Sequence, residues 1–206
     1  MVVNPARRDL RTQYDGFLAM VRRNPVSAAI LDRGPDLGAP DWWLTAGAVF
    51  QTVWNCLADR DPTAGIRDYD VFYHDPTDLS YEAEDAVVRR ADALFADLVA
   101  EHGVTVEVRN EARVHLWYEQ KFGVPCPEFA DSADAIDHFA ATTCCFGVTT
   151  DPDRTTRVYA PHGFGDLFAR VVRPNPVLAP RSVYETKAAR WQQEWPALTV
   201  LPWPCP

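Results

Sequence analysis

The chain has 206 residues, 47% of them hydrophobic, and carries a formal net charge of −9. That length suits one sizeable domain with enough apolar side chains for a packed core. The acidity argues against a protein that grips duplex nucleic acid or an anionic membrane, since both need a basic face, and no apolar run reaches the roughly 18 residues of a membrane helix.

The first residues lack the basic-then-apolar order of a signal peptide. Five cysteines, two of them adjacent as Cys144-Cys145, do not make a disulfide framework. A reducing cytoplasm is therefore the expected setting.

Asn4-Pro5 opens a predicted helix that carries Leu10, Tyr14, Phe17, Leu18 and Val21 at helical spacing. Asn24-Pro25 repeats the start signal for a short second helix, which Gly34-Pro35 ends. Residues 1–39 thus read as N-terminal helices packing on a core domain of residues 40–206. Trp42 to Thr45 reads as a buried strand. The turn Ala46-Gly47-Ala48 leads into a helix with Val49, Val53 and Leu57 on one face. Ile66 to Tyr73 is a second strand, rich in aromatic and branched residues. Ser80 caps a long helix whose acidic first turn suits the positive end of its dipole, and Gly103 stops it.

Val104 to Val108 alternates as a half-buried strand, with Thr105 and Glu107 on one face. A helix is expected over Glu111 to Gln120 and a short one from Ser132. Thr143–Thr149 and Thr156–Tyr159 form a hairpin turned at Asp151-Pro152-Asp153. Gly163 to Val171 is a short helix. Ser182-Val183-Tyr184-Glu185 has the form of a capping box, and the tail after Trp195 is extended. Strands and helices intermix without strict alternation, which points to an α+β fold: a mixed sheet flanked by helices.

The chemistry centres on Asp68 and Asp70. Residues two apart in a strand share a face, so the two carboxylates project together and repel unless a cation lies between them. Hard oxygen ligands in that pattern suit Mg²⁺, with Mn²⁺ as the alternative ion, held together with substrate phosphates. Glu107 is the candidate third carboxylate, to bind metal or to take the proton of an attacking hydroxyl; the other reading puts it on the solvent face of an edge strand. Gly47 lets backbone come close to a ligand, and the helix it opens offers unpaired N–H groups to a phosphate. Ala48 belongs to that turn, and Gln51 lies one turn on. Asn110 and Arg113 stand about one turn apart after the Glu107 strand, where Arg113 suits a phosphate or a base. A cap and a salt bridge are the alternative reading of that pair. Lys187 and Arg190 read either as triphosphate partners or as a solvated face.

In this order and spacing the residues resemble a known family. The matching segments are Ala46-Gly47-Ala48-Val49-Phe50-Gln51-Thr52-Val53-Trp54, Asp68-Tyr69-Asp70-Val71, Asn110-Glu111-Ala112-Arg113-Val114-His115, Ala160-Pro161-His162-Gly163, Asp166-Leu167-Phe168, Arg173-Pro174-Asn175-Pro176, and Trp191 to Pro196. The chain resembles the nucleotidyltransferase superfamily, with its DNA polymerase beta-like catalytic fold, and more closely a bacterial nucleotidyltransferase-like group formerly of unknown function. The resemblance implies metal-dependent transfer of a nucleoside monophosphate from a nucleoside triphosphate to an acceptor that the sequence does not identify, with release of pyrophosphate. It implies Asp68, Asp70 and Glu107 as catalytic and metal-binding residues. Gly47, Ala48, Gln51, Asn110 and Arg113 would contact the nucleotide. A serine or second glycine is usual where Ala48 stands. That departure motivates the competing expectation: a non-catalytic nucleotide-binding or interaction module that keeps the fold.

Overall fold

A computed structural model describes residues 9–205; the helix start expected at Asn4-Pro5 lies outside them. Helix α1 (Leu10–Arg23) begins instead after Asp9, whose carboxylate accepts from the Thr12 N–H. Helix α2 (Pro25–Arg33) is capped by Asn24, which accepts from the N–H groups of Val26 and Ser27 at 3.0 and 3.2 Å. The same buried asparagine donates to Thr52 Oγ1 and to the Tyr69 hydroxyl, each at 3.0 Å. The Asn24 side chain therefore satisfies the start of α2 and ties it to the helix and strand that carry the site, while its backbone N–H donates to the Val21 carbonyl at the end of α1. A short 3₁₀ turn (Gly34–Leu37) follows.

Strand β1 (Trp43–Thr45) leads into helix α3 (Gly47–Leu57), then strand β2 (Asp68–Tyr73), helix α4 (Tyr81–His102) and strand β3 (Thr105–Asn110). Ser80 caps α4, and Gly103 ends it in the left-handed conformation at φ 64°. Strands β4 (Gly147–Thr150) and β5 (Thr156–Tyr159) form the expected hairpin, with β4 beginning later than the sequence suggested. The five-stranded sheet has the order β3-β2-β1-β4-β5. β2 and β3 are parallel, joined over the α4 crossover, and the other pairs are antiparallel. This is the mixed sheet flanked by helices that the sequence pattern indicated.

The alternation in β2 sorts the two faces. Tyr69, Val71 and Tyr73 are buried in the main core, among Phe17 of α1, Ile30 of α2, Val53 of α3 and Phe95 of α4. Asp68, Asp70 and Phe72 take the opposite face. There Phe72 packs with Trp43, Phe139 and Ile136 of the short helix α6 (Ser132–Asp137), and Asp70 lies at the margin of this apolar cover.

The expected helix over Glu111–Gln120 is broken in two: a 3₁₀ turn (Glu111–Leu116) and a single helical turn, α5 (Tyr118–Phe122). The start of this segment is bonded sideways to α4, as described below, and the tighter winding keeps those bonds. The region after β5 holds helix α7 (Gly165–Ala169), strand β6 (Val171–Val172), helix α8 (Arg181–Glu194) and strand β7 (Thr199–Val200). β6 and β7 pair in parallel, so part of the tail expected to be extended is a strand. Ser182 does not cap α8: the helix starts two residues earlier than such a cap implies, at Arg181 after Pro180, and Glu185 pairs with Arg181 at 2.7 Å. Trp191 of α8 packs on Phe50 and Trp54 of α3, with ring centroids 5.2 and 6.1 Å apart. Trp195 adds a third ring, 5.5 Å from Trp54. These aromatic contacts seat α8 beside α3 and create a cleft between them.

Candidate active site

The cleft has a volume of about 560 Å³. Gly47 and Gln51 of α3 line one side, Asp68 and Asp70 the floor, and Lys187 and Arg190 of α8 the other side. Strand register sets what stands beside the aspartates. Asp70 lies opposite Thr45 on β1 and opposite Glu107 on β3, and Asp68 lies opposite Thr105. Side chains in register share a face, so Glu107 adjoins Asp70 although 37 residues (107 − 70) separate them in the chain.

Burial pushes the Asp70 carboxyl up to about 6, and the negative charges of Glu107 and Asp68 push in the same direction; Lys187 and Arg109 oppose them. Glu107 leans toward Arg109 at 3.5 Å. Among the described residues no group of three or more His, Cys, Asp or Glu side chains converges as a ready-made metal cage. The pair Asp68–Asp70 still fits Mg²⁺ or Mn²⁺, because Mg²⁺ commonly uses one or two carboxylates and completes its shell with water and substrate phosphate. The crowded negative charge at Asp70 is what a divalent cation relieves.

The turn into α3 differs in detail from expectation. Gly47 is the first helical residue, and the unusual backbone lies one position earlier, at Ala46 (φ 53°, ψ −138°). A Cβ on Gly47 would lie 2.7 Å from Nε2 of Gln51, so a side chain there would only displace the end of Gln51, and no positive φ calls for glycine at this position. Ala46 then adopts a conformation that L residues rarely tolerate, at a cost of roughly 1–3 kcal/mol. No side chain caps α3. Its first ladder bonds run from the N–H groups of Val49 and Phe50 to the Ala46 carbonyl, which leaves the N–H groups of Gly47 and Ala48 ahead of them; Gly47 lines the cleft, whereas Ala48 is fully buried and does not. Thr52 is buried, and its hydroxyl donates to the Ala48 carbonyl at 2.7 Å. Ala46→Gly is expected to raise the thermal midpoint by about 2 °C, since relief of strain outweighs glycine's extra entropy in the unfolded chain. Differential scanning fluorimetry reads this directly, and a lowered midpoint would show that the Ala46 methyl packs more than its backbone strains.

Asn110 and Arg113 do not line the cleft. Asn110 is buried and caps the following 3₁₀ turn by accepting from Ala112 N–H; it also accepts from Asp75 N–H at 3.0 Å and donates to Asp75 O at 2.8 Å. Arg113 forms an ion pair with Glu84 of α4 and donates from Nε to the Leu79 carbonyl at 3.0 Å. Glu84 in turn accepts from the Asn110 backbone N–H at 3.0 Å. The pair behaves as a cap and a salt bridge, and it latches the end of β3 to the start of α4.

Three groups acquire a place that sequence reasoning did not give them. Glu111 is buried just beyond β3; burial and the Asp70 charge push its carboxyl up to about 8. Its signal was an acid directly after the Glu107 strand. Arg67, one residue before Asp68, lines the cleft. Asn175 of the Arg-Pro-Asn-Pro segment donates to the carbonyls of Asp137 and Phe139 at 2.7 and 2.8 Å and holds the Phe139–Ala141 wall of the cleft in place.

The sequence pattern of a protein family described as "Nucleotidyltransferase" matches residues 33–200. A solved NMR structure, described as revealing a CCA-adding enzyme head domain, is similar in fold, with a TM-score of 0.72 and 26% sequence identity. The similarity covers 92% of this chain and 96% of that one. No curated protein matches the sequence.

Proposed function

The chain belongs to the nucleotidyltransferase family, and on that premise we propose that it transfers a nucleoside monophosphate from a nucleoside triphosphate to an acceptor hydroxyl. The observation that carries this reading is the cleft lined by Asp68, Asp70 and Gly47 at the open N-terminus of α3; Glu107 stands in register beside Asp70 on β3 but does not itself line the cleft. In the reaction the acceptor oxygen bonds to the α-phosphorus and the bond from that phosphorus to the bridging oxygen breaks. Pyrophosphate leaves with the bonding electrons.

Asp68 and Asp70 hold Mg²⁺ or Mn²⁺, which when bound neutralises charge on the phosphates. The N–H group of Gly47 donates to a phosphate oxygen, aided by the helix dipole. That backbone donor remains, so alanine at position 48 removes one hydroxyl contact without removing the cradle. Gln51, folded over Gly47, orients the same phosphates. Glu107 takes the proton of the acceptor hydroxyl. Arg109, now its neighbour at 3.5 Å, must release that carboxylate for the transfer.

The reading is tested by incubating the protein with Mg²⁺ or Mn²⁺, each labelled nucleoside triphosphate, and cell extract as the source of acceptor. Pyrophosphate release with label on an acceptor is the expected result. Triphosphate binding without any release, combined with a biological role that survives Asp70→Asn, would favour the non-catalytic module instead.

A further inference from the structure

Most arginines among the described residues have a carboxylate partner, including Arg22, Arg33, Arg60, Arg113, Arg157 and Arg173. The cations that line the cleft are different. The side chains of Arg67, Lys187 and Arg190 take part in no ion pair or hydrogen bond among the described residues. Lys187 and Arg190 are three residues apart on α8 and so project from the same flank of the helix. The adjoining flank, Tyr184, Ala188 and Trp191, is buried in the core and fixes how the cationic flank faces.

The cleft thus sets unpaired cations on one side against carboxylates on its floor. A plain anion would satisfy the first and be repelled by the second. A plain cation would do the reverse. A polyphosphate that arrives with a divalent cation satisfies both. Lys187 is the residue that links the two sides, because its charge already acts on Asp70. A divalent cation at the aspartates takes over that role, neutralises their two charges and so weakens the attraction between Lys187 and the floor. The ammonium is then free for phosphate oxygens.

We propose that Lys187, together with Arg190, binds the terminal phosphates of the triphosphate and couples metal binding to polyphosphate binding, so that the cleft takes the metal–polyphosphate complex in preference to either part. The proposal rests on the nucleotidyl-transfer reading for the identity of the triphosphate, but the coupling itself needs only inorganic probes. It assigns α8 the task of distinguishing triphosphates from monophosphates, which lack the terminal groups. It also implies opposite effects of one substitution on two ligands, which a merely structural lysine would not produce.

The test uses the full chain and the variants Lys187→Met and Arg190→Ala. Calorimetry measures affinity for Mn²⁺ alone, for tripolyphosphate alone, and for tripolyphosphate with Mn²⁺ present. Lys187→Met is expected to make Mn²⁺ binding several-fold tighter, because the lysine charge no longer acts on Asp70. It is expected to weaken tripolyphosphate binding in Mn²⁺ by about 10-fold and to shrink the factor by which Mn²⁺ promotes that binding. Arg190→Ala is expected to weaken tripolyphosphate to a similar degree without altering Mn²⁺ affinity. Both side chains are exposed, so the thermal midpoints should stay close to that of the parent and exclude misfolding. Equal weakening of Mn²⁺ and tripolyphosphate by Lys187→Met, or no change in tripolyphosphate binding, overturns the proposal. Tripolyphosphate binding that depends on Lys187 in a protein that releases no pyrophosphate supports this clamp and sinks the transfer reading. Labelled transfer with unaltered tripolyphosphate binding in both variants does the opposite.

Discussion

Asp70→Asn is expected to abolish pyrophosphate release and, at pH 7.5, to raise the melting temperature of the protein. The two effects have one cause. Asp70 lies in a half-buried position beside Glu107 and Asp68, and its carboxyl is pushed from 3.8 up to about 6, mainly by burial. Holding it ionised at neutral pH therefore costs about 2–3 kcal/mol, at about 1.4 kcal/mol per pKa unit. An amide of the same shape carries no charge and removes that cost. A carboxyl whose folded pKa is raised favours the folded state fully below its unfolded value of 3.8, and that contribution is lost as pH rises through about 6. The variant should therefore gain stability above pH 6 and match the parent near pH 4. Glu111, pushed up to about 8, adds a loss in both proteins as pH rises through 8. Catalysis should fall by roughly 10³-fold or more, as when a member of a concerted catalytic set is removed. Scanning fluorimetry at pH 4 and 7.5 with a pyrophosphate assay measures both. A variant that transfers nucleotide, or that melts lower at pH 7.5, would falsify this account.

Arg113→Ala is expected to destabilise the fold by about 3–5 kcal/mol, the range for breaking one side of a buried ion pair. The Arg113 and Glu84 side chains are only 16% and 14% exposed, so solvent does little to screen them. Without the guanidinium, Glu84 retains the Asn110 N–H as donor but loses its counter-charge, and the Leu79 carbonyl loses its donor. The thermal midpoint should drop by roughly 10 °C. The double variant Arg113→Met with Glu84→Met should recover part of that loss, because no charge is then left buried alone. At a temperature where Arg113→Ala is fully folded, its affinity for a metal–triphosphate complex should equal the parent's, since the guanidinium does not line the cleft. A large loss of affinity with an unchanged midpoint would restore Arg113 as a nucleotide ligand.

These two residues also show which parts of the site the sequence discloses. Asp68 and Asp70 are legible because strand periodicity alone puts them on one face. Ser80 and Gly103 are legible because a cap and a left-handed stop are local chemistry. The adjacency of Asp70 and Glu107 is different: it depends on the register of a parallel pair, and nothing local in either strand states that register. Arg113 could face a ligand or a carboxylate from its spacing, and only the position of α4 decides for Glu84. Ala46 gives no signal, because alanine is not the residue one expects at φ 53°. The Ser182 box misled because Pro180 already supplies the extended residue before the helix, and Arg181 draws Glu185 to itself. Strands of two residues, such as β6 and β7, are too short to carry an alternation at all.

The packing of α8 on α3 has a consequence in time. Trp191 is made 137 residues (191 − 54) after Trp54, the residue it covers. At synthesis rates of roughly 5–20 residues per second, the apolar flank of α3 waits on the order of ten seconds for its partner. In the later part of that interval the glycine turn, the aspartates and Glu107 have been made, but the wall that carries Lys187 and Arg190 has not. The cleft is therefore completed only after the whole five-stranded sheet has been made. A growing chain that has not yet produced α8 carries Asp68 and Asp70 without the cationic wall of Lys187 and Arg190 that stands across the cleft from them.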